Sequence, residues 1–590
     1  MKSAIAAVLL LISCAGLRAD TFAERRSFVV NQQAHPPSLV QAGYTTIAAK
    51  LYLKEDAAWC SRSLLEILKA PIAGDMFWMF PVTAIAHLDQ GQLTPEARKA
   101  LRDAWRTYAP YRGDTENHWL LYYTCLYLMS QLYPDQPGDQ WYTGKSSAEN
   151  LKESKDWIES WVKLTTTRGQ GEYDCMHYLG VYLLPMSYLS QWSTDPAMKQ
   201  RATMMIEYLM GDSGAENLNG LYAGSHARTD DKMVLEKQAA VSSDFFWLWF
   251  GTGHPQQPYT GPYVLYYSIA RGYEPPEILR QIGTDRSQPY THLEKKRTRN
   301  RWRFQDERHG PVYKTTYMRR EYAVSSDQGG VLQPIQQHSW DVTWSVPDAR
   351  GKYPTLFSVN PHSSLRELQT YFVFGPDFGN EAVVRSKKMY DSPDKLLGGS
   401  PYEKIFQNQD TVIVLYDVPR EQRFPHVNAF FSKDLTELTE DASGWIFARG
   451  GDALIAYKPL QPYVWKPVDI GGMRLFSQYS KNGAVVQVAA ASEYANFDAF
   501  RKAILALSLQ VSTDPTPSVR FRSLRGKTMQ FTYGQTPTVD GRPVDYDAWP
   551  LFGGPFLQAG VDSEQLTLKH GNRTRTLDFR KLTIEESEAR

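Results

Sequence analysis

Between residue 37 and about residue 300 the apolar side chains of this sequence recur at helical spacing, and from Val312 onward they alternate. That change of period constrains the fold more than any single motif. A segment patterned for 3.6 residues per turn buries no continuous face as a strand, and an alternating one buries none as a helix. Ser38 to Tyr52 and Asp56 to Lys69 read as amphipathic helices. Thr94-Pro-Glu opens another, with Thr94 as N-cap and Pro95 in the first turn. Further helices are expected over 116–133, 146–165, 171–192, 196–210 and 235–250, separated by turns such as Tyr133-Pro-Asp-Gln-Pro-Gly138. A long run of paired helices without strands predicts an (α/α) toroid whose inner helices line a cleft. No fixed short repeat is visible, which argues against a regular solenoid.

Residues 283–308 read as a charged, strand-poor connection containing Lys295-Lys-Arg-Thr-Arg299. Beyond it Val312–Met318, Thr370–Phe374, Thr411–Tyr416, Val485–Ala490 and Gln565–His570 carry β-formers between turn residues, and Phe497–Leu507 reads as an interpolated helix. The expected architecture is therefore α+β and multidomain. An N-terminal (α/α) toroid over residues 30–310 is followed by an antiparallel β-sandwich over 311–590. A chain of 590 residues needs more than one core in any case.

Met1 to Cys14 has one cation followed by a short apolar run, so residues 1–19 read as a secretory signal peptide. Leu11-Ile-Ser-Cys14 also resembles a lipoprotein box, in which Cys14 would carry a lipid anchor; ordinary cleavage near Ala19 is the alternative. Either way an exported protein is expected: periplasmic, anchored to the outer membrane, or secreted. Cys60, Cys125 and Cys175 match no zinc spacing and are expected as buried thiols, with one disulfide as the alternative. A formal net charge of +1 supplies no basic field, which argues against nucleic acid as a partner. Aromatic residues make up 13% of the chain, and Trp and Tyr faces suit the stacking of pyranose rings.

Three stretches carry groups suited to chemistry. Gly171-Glu-Tyr-Asp-Cys-Met-His-Tyr178 reads as the start of a helix in which Tyr173 and His177, and then Tyr178 and Tyr182, share a side. Tyr and His together can accept and donate protons. Asp114-Thr-Glu-Asn-His-Trp119 opens a helix with Thr115 or Asp114 as cap, and places Asn117 and His118 where the positive helix end favours an anion. Asn219-Gly-Leu-Tyr-Ala-Gly-Ser-His-Ala-Arg228 reads as an irregular loop presenting Tyr222, His226 and Arg228.

The order of an Asn-His helix start followed by His-Tyr on a later helix resembles the (α/α)-toroid polysaccharide lyases acting on alginate and related polyuronates. The toroid-plus-sandwich layout is similar to that of the wider heparinase-like group. The resemblance implies that Asn117 and His118 neutralise a substrate carboxylate and that Tyr178 is the catalytic tyrosine, with Tyr178, His226 or His177 exchanging protons. Arg228, His177, Tyr173, Tyr222 and Glu172 are expected to bind substrate beside them. The family's arginine shortly before the tyrosine is absent: position 171 is Gly, and Arg168 is the nearest candidate along the chain, with Arg228 the alternative. The implied reaction is β-elimination on an acidic, uronic-acid polysaccharide such as alginate or glucuronan. No cofactor is implied, and no His/Asp/Glu spacing suggests a metal. The rivals are a glycoside hydrolase using two of Glu116, Glu172 and Asp174, and a non-catalytic glycan-binding lipoprotein.

Overall fold

The computed structural model describes residues 21–37, 43–111, 115–255, 261–270, 272–297, 311–328, 336–362 and 391–588. The expected signal peptide with Cys14, the expected strand at 370–374, and Asp114 lie outside the described residues.

The first half is helical apart from the short strands β1 (Ala73–Asp75), β2 (Ala109–Tyr111), β3 (Asn217–Leu218) and β4 (Leu221–Tyr222). α1 (Phe22–Ala34), α2 (Tyr44–Leu53), α3 (Ala57–Ile67), α4 (Met79–Leu88), α5 (Pro95–Thr107) and α6 (Glu116–Leu132) come first. α7 (Ser147–Arg168), α8 (Leu179–Trp192), α9 (Pro196–Ala215), α10 (Asp231–Leu235), α11 (Val241–Phe250), α12 (Pro262–Ala270) and α13 (Glu277–Thr284) follow. Their starts are set locally. The Thr94 hydroxyl accepts from Ala97 N ahead of α5, and the Thr115 hydroxyl accepts from His118 N ahead of α6. α2 packs on α4, α4 on α6, α6 on α8, α8 on α12, and α12 back on α2. That closed circuit is the inner ring of an (α/α) toroid. The other helices lie outside it: α3 on α2, α7 on α6, α9 on α8, and α11 across α8 and α12.

Two local expectations give way. Residues 171–178 do not join α8, because Glu116 Oε2 takes Gly171 N and Glu172 N at 3.0 and 2.7 Å. Asp174 then turns the chain at φ 49°. Tyr173 and His177 therefore share no helix face. The second correction concerns Lys295 to Arg297, which form no connection. They end β5 (Tyr290–Arg297), so the strand-rich half begins about 20 residues earlier than the change of period near residue 310 suggests.

β5, β6 (Pro311–Met318), β7 (Tyr322–Gln328), β8 (Trp340–Trp344) and β9 (Thr355–Val359) are successive antiparallel neighbours in a nine-stranded sheet of the described residues. A six-stranded antiparallel sheet centred on Lys481–Ala490 and Ala453–Pro459 packs across it. The core between them takes Tyr322, Val324, Trp340 and Val342 from one side and Val412, Val414, Val486 and Val488 from the other. A four-stranded C-terminal sheet packs against α9 and α13 through residues such as Leu557 and Leu568. The opposite face of β5–β7 turns toward the helices and is polar: His292, Glu294, Lys296, Lys314, Thr316, Ser325 and Asp327 are all buried there. Gly224 lets the chain before His226 lie on this face, since a Cβ there would meet Ser325 Cβ at 2.5 Å. Cys60, Cys125 and Cys175 are buried thiols, and burial pushes the first two up to about 11 and about 12.

Candidate functional site at the mouth of the helical ring

Four inner helices bring their N-terminal ends to one place. Phe77, just before α4, meets the His118 ring edge-on at 5.3 Å in the first turn of α6. Phe77 also packs on Phe80, and Phe80 packs on Tyr263 of α12 at 5.8 Å. Tyr263 meets His177 at 5.7 Å, and His177 meets Tyr178, the N-cap of α8, at 5.5 Å. The Arg228 guanidinium lies over the Tyr178 ring at 5.0 Å. From Arg228 the circuit returns: Nη1 donates to Glu172 Oε1 at 2.7 Å, and Glu172 Oε2 receives Asn117 Nδ2 at 2.6 Å, next to His118. The result is a closed belt of aromatic, imidazole and guanidinium groups around positive helix ends, a setting that favours an anionic ligand. His118, His177, Tyr178 and Tyr263 are half-buried, so the belt is reachable from solvent.

Burial pushes the His177 imidazole down, outweighing the charge of Asp230, so it is neutral and basic in form near pH 7. Its Nδ1 has no hydrogen-bond partner among the described residues. The Tyr178 backbone N donates to Cys175 Sγ at 3.4 Å, which fixes the turn that presents the phenol.

Several expected site residues stand behind the mouth instead of in it. Asn117 is fully buried, and its Nδ2 protons go to Thr115 Oγ1 at 2.8 Å and to Glu172. Turning the amide over would set its oxygen against the Glu172 carboxylate, so the orientation is fixed. Both Asn117 Nδ2 protons are therefore used within the protein, one of them to hold Glu172. Glu172 is likewise buried and committed to Asn117, Tyr182 and Arg228. Tyr173 and Tyr222 are buried with their hydroxyls donated to Asp327 Oδ2 at 2.8 Å and Asp174 Oδ1 at 3.0 Å.

His226 is fully buried and bridges to His338 backbone to backbone; its Nδ1 meets the Asp174 carbonyl at 2.5 Å, and burial holds the ring far below its usual pKa. The expected loop is in fact a wedge between the helices and the sheet. Ala227 N donates to Tyr173 O, and Thr229 N to Gln336 O. Of the expected proton-exchanging groups, Tyr178 and His177 are the ones half-buried at the mouth.

Arg297 was not legible as a site residue, and Glu116 only as a candidate acid of the hydrolase alternative. Glu116 accepts from Gly171 N, Glu172 N, Trp161 Nε1 and Tyr182 OH, and pairs with Arg297 from β5. Arg297 occupies the space that a side chain at position 171 would fill: a Cβ on Gly171 would lie 2.7 Å from its Nη1. An arginine thus reaches this spot from a strand more than a hundred residues away. Arg168 does not, being half exposed and paired with Asp562 at 3.2 Å. Gly171→Ala is expected to cost about 1–3 kcal/mol by overpacking, read as a lowered melting temperature. The sequence signal for this layer was the alternation His292, Glu294, Lys296 along one strand face, which a solvated charge run does not require.

Asp327, under Tyr173, gives a pH signature. Burial pushes its carboxyl up to about 7 although the Tyr173 and Ser225 hydroxyls bond to it. A raised carboxyl favours the folded state most when protonated, so this contribution is lost as pH rises from about 4 to about 7. Asn mimics the protonated form. The melting temperature of Asp327→Asn relative to the natural protein is therefore expected to climb between pH 4 and pH 8, and a flat difference would remove Asp327 as the titrating group.

No protein-family model matches the chain, and no curated protein matches it. Among solved structures it is similar to the chondroitin AC lyase of Streptomyces coelicolor A3, determined in complex with chondroitin sulphate: identity is 11%, 94% of this chain and 79% of that chain are covered, and the TM-score is 0.27.

Proposed function

We propose that the protein is an exported polysaccharide lyase that cleaves a uronic-acid polymer by β-elimination at this mouth. The observation that carries the reading is the closed belt running His118, Phe77, Phe80, Tyr263, His177, Tyr178, Arg228, Glu172, Asn117. It sets a phenol and a neutral imidazole beside the positive ends of α6 and α8, with a cation behind the phenol ring. In the reaction the C5–H and C4–O bonds break and a C4=C5 double bond forms. The C5 proton leaves only when the adjacent carboxylate is stabilised as charge moves onto it. His118 and the helix ends supply that stabilisation. The guanidinium over the Tyr178 ring favours the phenolate that takes the proton. Tyr178 then returns a proton to O4 when both groups leave from one face; otherwise His177 takes the proton and Tyr178 donates.

The hydrolase reading loses its acids. Glu116, Glu172 and Asp174 are each at most 4% exposed and ion-paired with Arg297, Arg228, and Lys296 and Lys314. The test is turnover on alginate, glucuronan, hyaluronan, chondroitin and heparin. The expected result is growth of the ultraviolet absorbance of an unsaturated uronate end on at least one of them. New reducing ends without that absorbance would establish the hydrolase instead, and binding without either product would establish a capture protein.

A further inference from the structure

Behind the mouth, four carboxylates and two ammonium groups of the described residues share one buried volume between the turn at Asp174, α9 and strands β5 and β6. Lys296 Nζ lies 2.6 Å from Glu294 Oε1, 2.7 Å from Asp212 Oδ2 and 3.1 Å from Asp174 Oδ1. Lys314 Nζ lies 2.5 Å from Glu216 Oε2, 2.6 Å from Asp174 Oδ2 and 3.2 Å from Glu294 Oε2. Each ammonium is thus saturated by three acceptors. With all six groups ionised, four negative and two positive charges leave two negative charges in a volume with no water-facing surface, which is a large cost unless something neutralises them.

The lone pairs left over are not scattered. His292 is 1% exposed, and its Nε2 has no hydrogen-bond partner among the described residues. That nitrogen is 3.7 Å from Glu294 Oε1, beyond hydrogen-bond reach but close to the separation of two ligands on one small metal ion. Among the same residues Asp212 Oδ1 has no hydrogen-bond partner either. Ligand atoms of Asp212, His292 and Glu294 all lie within 4.8 Å of one another. Asp174, Glu216 and Glu294 are grouped as closely; Lys314 faces that trio as Lys296 faces Asp212 and Glu294, but only the set with His292 adds an imidazole nitrogen to the carboxylates.

We propose that Asp212, His292 and Glu294 bind one divalent transition-metal cation of the zinc type. Its two positive charges match the two left uncompensated. An imidazole nitrogen in the set favours zinc-like ions over calcium or magnesium, which take oxygen ligands. His292 and Glu294 are two apart on β5 and so share its inner face, while Asp212 comes from α9. The ion ties the helical ring to the sheet. Phe552 closes the site, stacking on His292 at 5.9 Å and lying 5.2 Å from Lys296 Nζ. Such a site is structural and does not touch substrate.

The competing route to neutrality is protons: burial pushes the Asp212 and Glu216 carboxyls well up, and two retained protons would serve as well as one ion. The experiment is metal analysis of the full-length purified protein by mass spectrometry. Zn²⁺ titration of chelator-stripped protein, followed by calorimetry and melting temperature, completes it, alongside His292→Gln and Asp212→Asn. The expected result is close to one equivalent of metal, a melting temperature raised by Zn²⁺, and loss of both in either variant. Stripped His292→Gln should melt near the stripped natural protein, which separates lost binding from failed folding. Metal-free protein whose melting temperature ignores Zn²⁺ would establish the protonated cluster, and an equal Zn²⁺ response in both variants would assign the binding elsewhere. These readouts are independent of polysaccharide turnover, so the site stands or falls apart from the lyase reading.

Discussion

Tyr178→Phe is expected to lower lyase turnover by about 10²–10⁴-fold, roughly 3–5 kcal/mol of barrier, with little change in substrate affinity. The substitution removes one oxygen and keeps the ring, which leaves the Arg228 guanidinium stacked and the His177 edge contact in place. The groups proposed to meet the substrate carboxylate, His118 and the N-terminal ends of α6 and α8, are untouched. Tyr178 is half-buried at a helix start, not in the packed interior, so its hydroxyl is worth at most about 1 kcal/mol of stability. Two measurements on one variant separate the roles. A folded Tyr178→Phe protein with near-normal turnover would end the proposal that this phenol moves the proton.

The second large effect is on stability. Lys314→Met removes the cation that faces Asp174, Glu216 and Glu294 and leaves their charges without it in a water-free volume. Breaking a buried pair from one side typically costs about 3–5 kcal/mol, because the stranded partner keeps its desolvation penalty. A fall of several degrees in melting temperature is therefore expected. The pH dependence has a definite sign. The carboxylates around Lys314 hold its ammonium well above the ordinary lysine value of 10.5, so its stabilisation is complete below that value and does not vary between pH 5 and pH 8. Burial already raises the Glu216 carboxyl, and without the lysine it takes a proton more readily. The deficit of Lys314→Met should accordingly shrink as pH falls from 8 to 5. A deficit that grew on acidification would mean that the lysine does not neutralise these carboxylates.

What the sequence determined by itself was local. The switch of apolar period located a helical half and an antiparallel half, because period 3.6 and period 2 are properties of neighbours within a turn or a strand. Thr94 and Thr115 marked helix starts because a capping bond spans three residues. The polar types at 117–118, 177–178 and 228 fall at one end of the helical ring, since each sits at or near the start of an inner helix or against one.

The tertiary structure decided which of those groups face solvent and which are already used. Asn117 is committed to Glu172, 55 residues away; Arg297 reaches Glu116 across 181, and Lys314 reaches Asp174 across 140. A carboxylate or amide has the same one-letter symbol whether its hydrogen bonds go to water, to substrate or to a lysine on a distant strand. The run Lys295-Lys-Arg297 looked like solvated charge for that reason. Only the pairing of β5 with β6, against α9 and the turn before α8, put Lys296 and Arg297 inside. Period and capping are fixed within a few residues, whereas the burial of a charge is fixed by whichever partners the completed fold brings to it.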